Sequence, residues 1–323
     1  MSRPRIVVTG RIPDAGLAVL REAGEVEAWD SLDVPSVEQV HAMVRGADAV
    51  VTLLTTKVDD ALLDAAGPQL KVVANVAVGY NNIDVAACAS RGVVATNTPG
   101  VLTEATADIA MALVLMATRR LGEGERVIRS GTPWQWGMFY MLGSGIQGRQ
   151  LGIIGMGDIG QALARRARAF GMTIAYANRK PVAAELEHEL GATFMSQDQL
   201  LATSDVVSLN CPYSPATHHL IGAAQLASMQ RSAFLVNTAR GPIVDEAALV
   251  DALRNGVIAG AGLDVFEHEP TVHPGLLECD NAVLVPHLGS ATVETRSAMA
   301  TLAAANVTAV LSGVRPPTPI PVP

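Results

Sequence analysis

Large aromatic side chains are scarce in this sequence of 323 residues, because phenylalanine, tryptophan and tyrosine together make up only 4% of it. Its core must therefore be built from alanine, valine, leucine and isoleucine. Charged residues are also sparse at 17%, whereas hydrophobic residues reach 49%, and this balance excludes a disordered chain. A chain of this length predicts two domains with a large buried core.

Long hydrophobic runs and runs of basic residues are absent as well. No stretch approaches the roughly 18 uncharged apolar residues of a membrane-spanning helix, and the apolar run near the N-terminus is too short for a signal peptide. The net charge of −8 argues against nucleic-acid binding. Only three cysteines occur, widely spaced, so we interpret Cys88, Cys211 and Cys279 as buried free thiols of a cytoplasmic protein without a metal site.

A regular alternation of short apolar runs and helical patterns dominates what the sequence does contain. Strand signals occur in two series, at 6–9, 26–29, 49–54, 71–76 and 93–96, and then at 151–154, 173–176, 206–209, 234–237, 262–265 and 282–285. Helical patterns separate them, and a final one covers 291–312. Such alternation predicts α/β domains whose parallel sheets are covered on both faces.

The segment between the two series has a different composition. A helical pattern at 103–120 is followed by residues 131–148, which hold five glycines, two tryptophans, Phe139 and Tyr140. This stretch is equally compatible with a loop packed on its own domain and with an arm that covers another subunit or a substrate pocket.

A glycine-rich turn directly follows the strand signal at 151–154 and opens a helical pattern at 159–170. It matches G-x-G-x-x-G in the context that a dinucleotide-binding site requires. The glycines permit a tight turn, close approach of a pyrophosphate and close packing of helix on strand, and the helix N-terminus binds the phosphates. The motif consists of Gly155, Met156, Gly157, Asp158, Ile159 and Gly160.

The next strand signal leads into Asn178, Arg179 and Lys180, where an NAD site usually carries an acidic residue that binds the ribose hydroxyls. No Asp or Glu occurs between Gly171 and Ala184. A cation there pairs with a 2′-phosphate, which a carboxylate would repel. These three residues therefore predict a preference for NADP(H) over NAD(H), although the two cations are also compatible with an ordinary solvated loop end.

Three titratable groups follow the last strand signals. Arg240 comes after 234–237, Glu269 after 262–265 and His287 after 282–285. Because ligands bind beyond the carboxyl ends of parallel strands, we expect all three to face the nicotinamide. A forked guanidinium suits the carboxylate and carbonyl of a 2-oxo acid, and histidine, which titrates near neutral pH, suits proton donation to the new alkoxide. Glu269 in contact with His287 would favour the imidazolium.

Six motifs resemble those of the D-isomer-specific 2-hydroxyacid dehydrogenases, most closely the glyoxylate/hydroxypyruvate reductase branch, and they extend over nearly the whole chain. Beside the glycine fingerprint they are VAVGYNNID (76–84), TNTPGVLTEATAD (96–108), NTARG (237–241), GLDVFEHEP (262–270) and PHLGSATVETR (286–296). The resemblance implies two Rossmann-like or flavodoxin-like domains, with the cofactor domain inserted into the substrate domain. The substrate (catalytic) domain would comprise 1–99 plus 289–323. The dinucleotide-binding domain would comprise 100–288, with an arm at about 118–150 that forms a homodimer.

The resemblance also assigns roles to single residues. Arg240 would clamp the substrate, Glu269 would pair with the histidine, and His287 would be the acid/base. Substrate would contact Leu54 and the backbone amides near Val78 and Gly79. Further positions that match cofactor contacts are Thr106, Cys211, Pro212, Ala239, Asp264 and Gly289.

Three positions separate this chain from particular relatives. Val78 stands where phosphite dehydrogenases place Lys, and Glu269 where formate dehydrogenases place Gln. Tyr140 stands near a Trp of many glyoxylate reductases, so hydroxypyruvate or a bulkier 2-oxo acid is also compatible. The expected function is NADPH-dependent reduction of glyoxylate and hydroxypyruvate. The alternatives are an NADH-dependent dehydrogenase for another D-2-hydroxy acid and a nucleotide-sensing protein like the family's corepressors.

Overall fold

A computed structural model describes residues 3–322, which divide into two compact units. Unit 1 comprises the residues up to Leu102 and from Ala291 onward, and unit 2 runs from Thr103 to Ser290. Both boundaries lie a few residues beyond the expected ones at 99 and 288. The helix that starts at Thr103 packs on elements of unit 2, and this contact assigns its first residue to that unit.

Unit 1 contains a five-stranded parallel sheet in the order β2-β1-β3-β4-β5, which is the flavodoxin-like order. The central strands are buried on both faces, as expected for continuous apolar runs in a parallel sheet. The elements are β1 Arg5–Val8, α1 Asp14–Ala23, β2 Glu25–Ala28, α2 Val37–Val44, β3 Ala49–Thr52, α3 Asp60–Ala66, β4 Val72–Asn75, α4 Val85–Ser90 and β5 Val94–Thr96.

Unit 2 contains a seven-stranded parallel sheet in the order β12-β11-β10-β9-β6-β7-β8. Strand order reverses between β6 and β9, as in a Rossmann sheet extended by one strand. Its elements are α5 Thr103–Thr118, α6 Leu121–Arg129, β6 Gln150–Ile154, α7 Asp158–Ala169, β7 Thr173–Ala177, α8 Ala184–Leu190, β8 Ala192–Phe194, α9 Gln197–Thr203, β9 Val206–Leu209, α10 Ala223–Ser228, β10 Phe234–Asn237, α11 Glu246–Arg254, β11 Gly260–Leu263, α12 Pro274–Leu277 and β12 Ala282–Leu284.

The last helix, α13 Val293–Leu311, returns to unit 1 and packs against α1. Half of its six buried residues are alanines, Ala300, Ala303 and Ala304, so the helices pack without large aromatic side chains. The predicted fold class of two α/β domains with parallel sheets, one inserted into the other, is confirmed.

Three elements were not predicted from the sequence pattern: α6, β8 and α12. Helix α6 buries no residue, so it has no apolar stripe facing the core, and the other two are only three and four residues long. The aromatic stretch that follows α6 is exposed, with Trp136 75% and Phe139 89% accessible. Ile146, near the end of the same stretch, is buried in the core of unit 2, so only the aromatic part is exposed.

Among the described residues, no helix has both the length and the hydropathy needed to span a bilayer. The three cysteines are unpaired, and Cys88 and Cys279 are buried whereas Cys211 is partly buried. The described residues also contain no group of three or more His, Cys, Asp or Glu side chains arranged to hold a metal ion.

Candidate active site

The glycine-rich turn lies between β6 and α7, at the point where the strand order of unit 2 reverses. Gly155 has φ 100°, and a Cβ there would lie 2.5 Å from the backbone nitrogen of Cys211, so only glycine fits. A Cβ on the exposed Gly157 would meet nothing within 4 Å, which leaves open space above the turn. No side chain caps α7, and the N–H groups of its first turn are available to a phosphate.

Two buried polar atoms beside this turn lack a partner among the described residues. They are Asn210 Oδ1, directly after β9, and Thr238 Oγ1, directly after β10. A buried polar atom without a hydrogen bond destabilises the folded protein. Such atoms at the carboxyl ends of strands indicate a polar ligand. The open turn and the two atoms thus fit a dinucleotide along the carboxyl ends of β6, β9 and β10.

The predicted 2′-phosphate residues follow β7. Asn178 is turned toward the glycine motif, where its Oδ1 accepts a hydrogen bond from Met156 N at 2.8 Å. Arg179 and Lys180 are exposed, and no acidic side chain of the described chain pairs with either. Their charges are therefore available to an anionic group of a bound nucleotide.

A buried tyrosine holds the loop that carries these cations. The hydroxyl of Tyr176 accepts a hydrogen bond from Val182 N at 2.9 Å and donates one to Glu187. Burial, together with the carboxylate of Glu187, raises the pKa of Tyr176 to about 12, so the hydroxyl keeps its proton at neutral pH. No sequence signal distinguished Tyr176 from an ordinary core residue.

The structure brings His287 and Glu269 together, with Nδ1 of the imidazole 2.7 Å from Oε2 of the carboxylate. The other carboxylate oxygen, Oε1, accepts a hydrogen bond from Phe266 N at 3.0 Å. The two side chains are 32% and 35% exposed, and Nε2 is the ring nitrogen that does not face Glu269. His287 has φ 52°, a left-handed conformation that costs of order 1–3 kcal/mol and is concentrated at functional sites.

Arg240 lies directly after β10, in a loop that touches the loop after β11. A Cβ on Gly241 would lie 1.8 Å from the carbonyl carbon of Phe266, so the two backbones are in direct contact. Burial lowers the pKa of Arg240, and the nearby charge of Glu269 opposes this change. The guanidinium nevertheless stays charged at neutral pH.

Glu269 is the electrostatic link between the other two groups. Burial by itself would raise the pKa of Glu269, but the hydrogen bond and charge of His287, the Phe266 N–H and the charge of Arg240 together lower it. The carboxylate is therefore ionised at neutral pH and favours a protonated imidazole. All three predicted catalytic residues are thus coupled in one site.

Asp264 holds the turn that presents His287. Its carboxylate accepts hydrogen bonds from the backbone N–H groups of Leu288 and Gly289, while its own carbonyl accepts one from His287 N at 2.8 Å. Thr106 donates to the Gly289 carbonyl at 3.0 Å. Burial raises the pKa of Asp264, although the two backbone hydrogen bonds act to lower it. The structure thus assigns Thr106, Asp264 and Gly289 a bracing contact in addition to the predicted cofactor contacts.

The predicted substrate residues lie in unit 1. Leu54 follows β3, and Val78 and Gly79 follow β4, so all three are at the carboxyl end of that sheet. Asparagine side chains hold this region: Asn97 donates to the Val78 carbonyl at 2.8 Å and Asn75 to the Gly79 carbonyl at 3.0 Å. Sequence reasoning missed both, because asparagine after a strand is an ordinary turn residue.

Comparison with known proteins gives one family. The family model described as D-isomer specific 2-hydroxyacid dehydrogenase, NAD binding domain, matches residues 111–289. The chain is 49% identical to a glyoxylate reductase of Thermococcus onnurineus (98% of this chain, 95% of the relative) and 46% identical to one of Thermococcus litoralis (98% and 96%).

Solved structures agree with these relatives. A glyoxylate reductase from Paecilomyes thermophila superposes with a TM-score of 0.89 at 37% identity, covering 99% of both chains. An NADPH-dependent glyoxylate/hydroxypyruvate reductase from Sinorhizobium meliloti, in complex with NADP and malonate, superposes with a TM-score of 0.85 at 38% identity, covering 99% of this chain and 97% of that one.

Proposed function

Because this chain belongs to the D-isomer specific 2-hydroxyacid dehydrogenase family, we propose that it reduces glyoxylate and hydroxypyruvate to their 2-hydroxy acids with NADPH. Its relatives place it in the glyoxylate reductase branch, and it is a 2-oxo acid reductase. The observation that carries the proposal is the coupled set of Arg240, Glu269 and His287 beside a dinucleotide turn.

The residues of this chain divide the chemistry between them. The nicotinamide of the bound cofactor supplies the hydride. Arg240 binds the substrate carboxylate and polarises the carbonyl oxygen with its planar fork of donors. His287 donates a proton from Nε2 to that oxygen, while Glu269 on Nδ1 stabilises the imidazolium before transfer and holds the ring in orientation.

The NADPH preference rests on the free charges of Arg179 and Lys180 and on the absence of a carboxylate at the end of β7. The neutral Asn178, held against the glycine turn, leaves room for a phosphate where an acidic side chain would repel it. The Sinorhizobium relative, whose structure contains NADP, supports the same preference.

Replacing Arg179 with aspartate is expected to lower the ratio of kcat/KM for NADPH to kcat/KM for NADH by roughly 100-fold, because an attraction to the 2′-phosphate becomes a repulsion. Initial rates with each cofactor at fixed glyoxylate measure the ratio. The exposed Arg315 of unit 1 gives a control with the same change of charge, Arg315→Asp. An unchanged ratio in the Arg179 variant would place the 2′-phosphate elsewhere.

Replacing Glu269 with glutamine is expected to lower kcat/KM for glyoxylate at neutral pH by about tenfold and to remove the acid limit that the carboxylate sets, because the neutral amide neither stabilises the imidazolium nor titrates. The wild-type carboxylate, whose pKa is lowered, supports the ion pair until the pH falls through that lowered value. The pH profile of kcat/KM measures both effects. A variant that keeps the acid limit of the wild type would separate Glu269 from the proton donor.

We further propose that Leu54, Val78 and Gly79 bind the substrate, that the segment at about 118–150 forms a homodimer, and that the protein is cytoplasmic. The exposed Trp136 and Phe139 support the second point, since aromatic side chains are enriched at interfaces. Analytical ultracentrifugation of the Phe139→Ser variant beside the unmodified chain tests it, and identical sedimentation as a monomer in both would contradict it.

A panel of 2-oxo acids assayed with NADPH and with NADH tests the proposed function. Rapid oxidation of NADPH with glyoxylate and hydroxypyruvate is the expected result. Faster turnover with NADH and a bulkier 2-oxo acid would favour the alternative D-2-hydroxyacid dehydrogenase. Nucleotide binding without turnover of any 2-oxo acid would favour a nucleotide-sensing protein.

A further inference from the structure

The loop after β4 has three consecutive carbonyl groups that each accept a hydrogen bond from elsewhere in unit 1. They are the carbonyls of Ala77, Val78 and Gly79, and their donors are Thr98 N at 2.9 Å, Asn97 Nδ2 at 2.8 Å and Asn75 Nδ2 at 3.0 Å. The peptides here are trans, so each following N–H points opposite to the carbonyl of its own peptide.

The three N–H groups that follow belong to Val78, Gly79 and Tyr80, and in the described part of the chain none of them donates to a protein acceptor. Residues 76–78 form a bend, and successive backbone N–H groups left open in a turn conformation form an anion-binding nest. The peptide between Gly79 and Tyr80 is the one that Asn75 holds, so Asn75 determines where the third N–H points.

The side chain of Asn75 is completely buried and is itself fixed on both sides. Its Oδ1 accepts hydrogen bonds from Thr52 Oγ1 at 3.0 Å and from Asn82 Nδ2 at 3.3 Å. Asn82 Nδ2 also donates to the carbonyl of Thr56 at 2.9 Å. The amide of Asn75 therefore has one orientation, because turning it over would set its N–H groups against the Nδ2 group of Asn82.

We propose that Asn75 is a positioning residue for the substrate carboxylate and that the Tyr80 N–H is a third backbone donor to it. This inference rests on the proposed function. In this role Asn75 contacts no substrate atom. Its hydrogen bond to the Gly79 carbonyl fixes the peptide between Gly79 and Tyr80, so that the nest is formed before the acid binds. A preformed nest lowers the free-energy cost of binding, and its loss weakens ground-state and transition-state binding alike.

Replacing Asn75 with aspartate keeps the shape but sets a carboxylate oxygen against the Gly79 carbonyl. The KM for glyoxylate is expected to rise at least about tenfold, since a buried acceptor is left unpaired, while kcat and the KM for NADPH change less than about twofold. Calorimetric titration of the full chain with oxamate, an unreactive analogue of a 2-oxo acid, is expected to show the same loss of affinity without turnover.

Thr52→Val provides a second variant that keeps Asn75 and removes only the hydroxyl that orients it, with an expected rise in KM of about threefold. Asn281→Asp is the matched control, because Asn281 also donates to backbone carbonyls, those of Leu253 and Ala259, in unit 2. That control is expected to leave the KM for glyoxylate unchanged. Thermal unfolding of each variant establishes that it is folded.

The outcomes separate this inference from the function on which it rests. If the folded Asn75 and Thr52 variants bind oxamate and glyoxylate as the unmodified chain does, the positioning role is overturned. If Asn75→Asp does not fold, the Thr52 variant alone decides. If the unmodified chain turns over no 2-oxo acid, the proposed function fails, and weaker oxamate binding by the variants still supports the nest.

Discussion

Replacing His287 with asparagine is expected to lower kcat for glyoxylate reduction by roughly 1,000-fold, because the alkoxide that forms would have no proton donor. Asparagine suits the test, since it tolerates the left-handed backbone of this position, φ 52°, better than most residues. Its side-chain amide can also donate to Glu269. The turn should therefore survive, and the loss should report proton transfer.

Steady-state rates at saturating NADPH give kcat, and nucleotide fluorescence gives the affinity for NADPH, which is expected to stay within about twofold because the imidazole serves the chemical step rather than cofactor binding. His188→Asn, on the exposed last turn of α8, is the matched control and should keep full activity. A His287 variant that retains more than a tenth of the wild-type kcat would assign the proton to another donor.

Replacing Arg240 with alanine is expected to lower kcat/KM for glyoxylate by roughly 1,000-fold, because both the carboxylate and the polarised carbonyl lose their charge-assisted hydrogen bonds. Lysine at the same position should recover only a small part of the activity. It restores the charge but lacks the planar fork that meets two oxygens at once.

The alanine variant is expected to be no less stable than the wild type. Burial lowers the pKa of Arg240, which means that the folded protein holds this charge at a cost. Removing it also lets the pKa of Glu269 rise, since the guanidinium contributes to lowering it. Midpoints of thermal unfolding measured beside kcat/KM test this trade-off. A lower midpoint together with the loss of activity would indicate a structural role instead.

Elements with a local signature could be predicted from the sequence. The strands β9 and β10 occur at the predicted 206–209 and 234–237, because each depends on a short run of neighbouring residues. The glycine turn is of the same kind, since strand, G-x-G-x-x-G and helix are adjacent along the chain. Helix α6 was not predicted from the sequence, and none of its residues is buried in the structure.

Contacts of the candidate site that depend on distant residues had no such signature. Asn75 is the last residue of β4, and Asn97 directly follows β5. In the sequence, neither differs from an ordinary polar residue of a turn. The sequence pattern around Tyr176 indicates an ordinary core aromatic residue. Its hydrogen bond from Val182 N forms only because the loop after β7 folds back over the tyrosine hydroxyl. Only the folded backbone shows which carbonyl each side chain reaches.

The amino-acid sequence by itself determined the α/β class and the glycine-rich turn, and it singled out the cations after β7 and the three candidate catalytic side chains, because these follow from local pattern and side-chain chemistry. The tertiary structure alone decided that β10, β11 and β12 lie side by side, which brings Arg240, Glu269 and His287 to one edge. It also decided the left-handed backbone of His287 and the outward N–H groups of the β4 loop. The physical reason is that strand order and peptide orientation are set by packing between residues far apart in the chain.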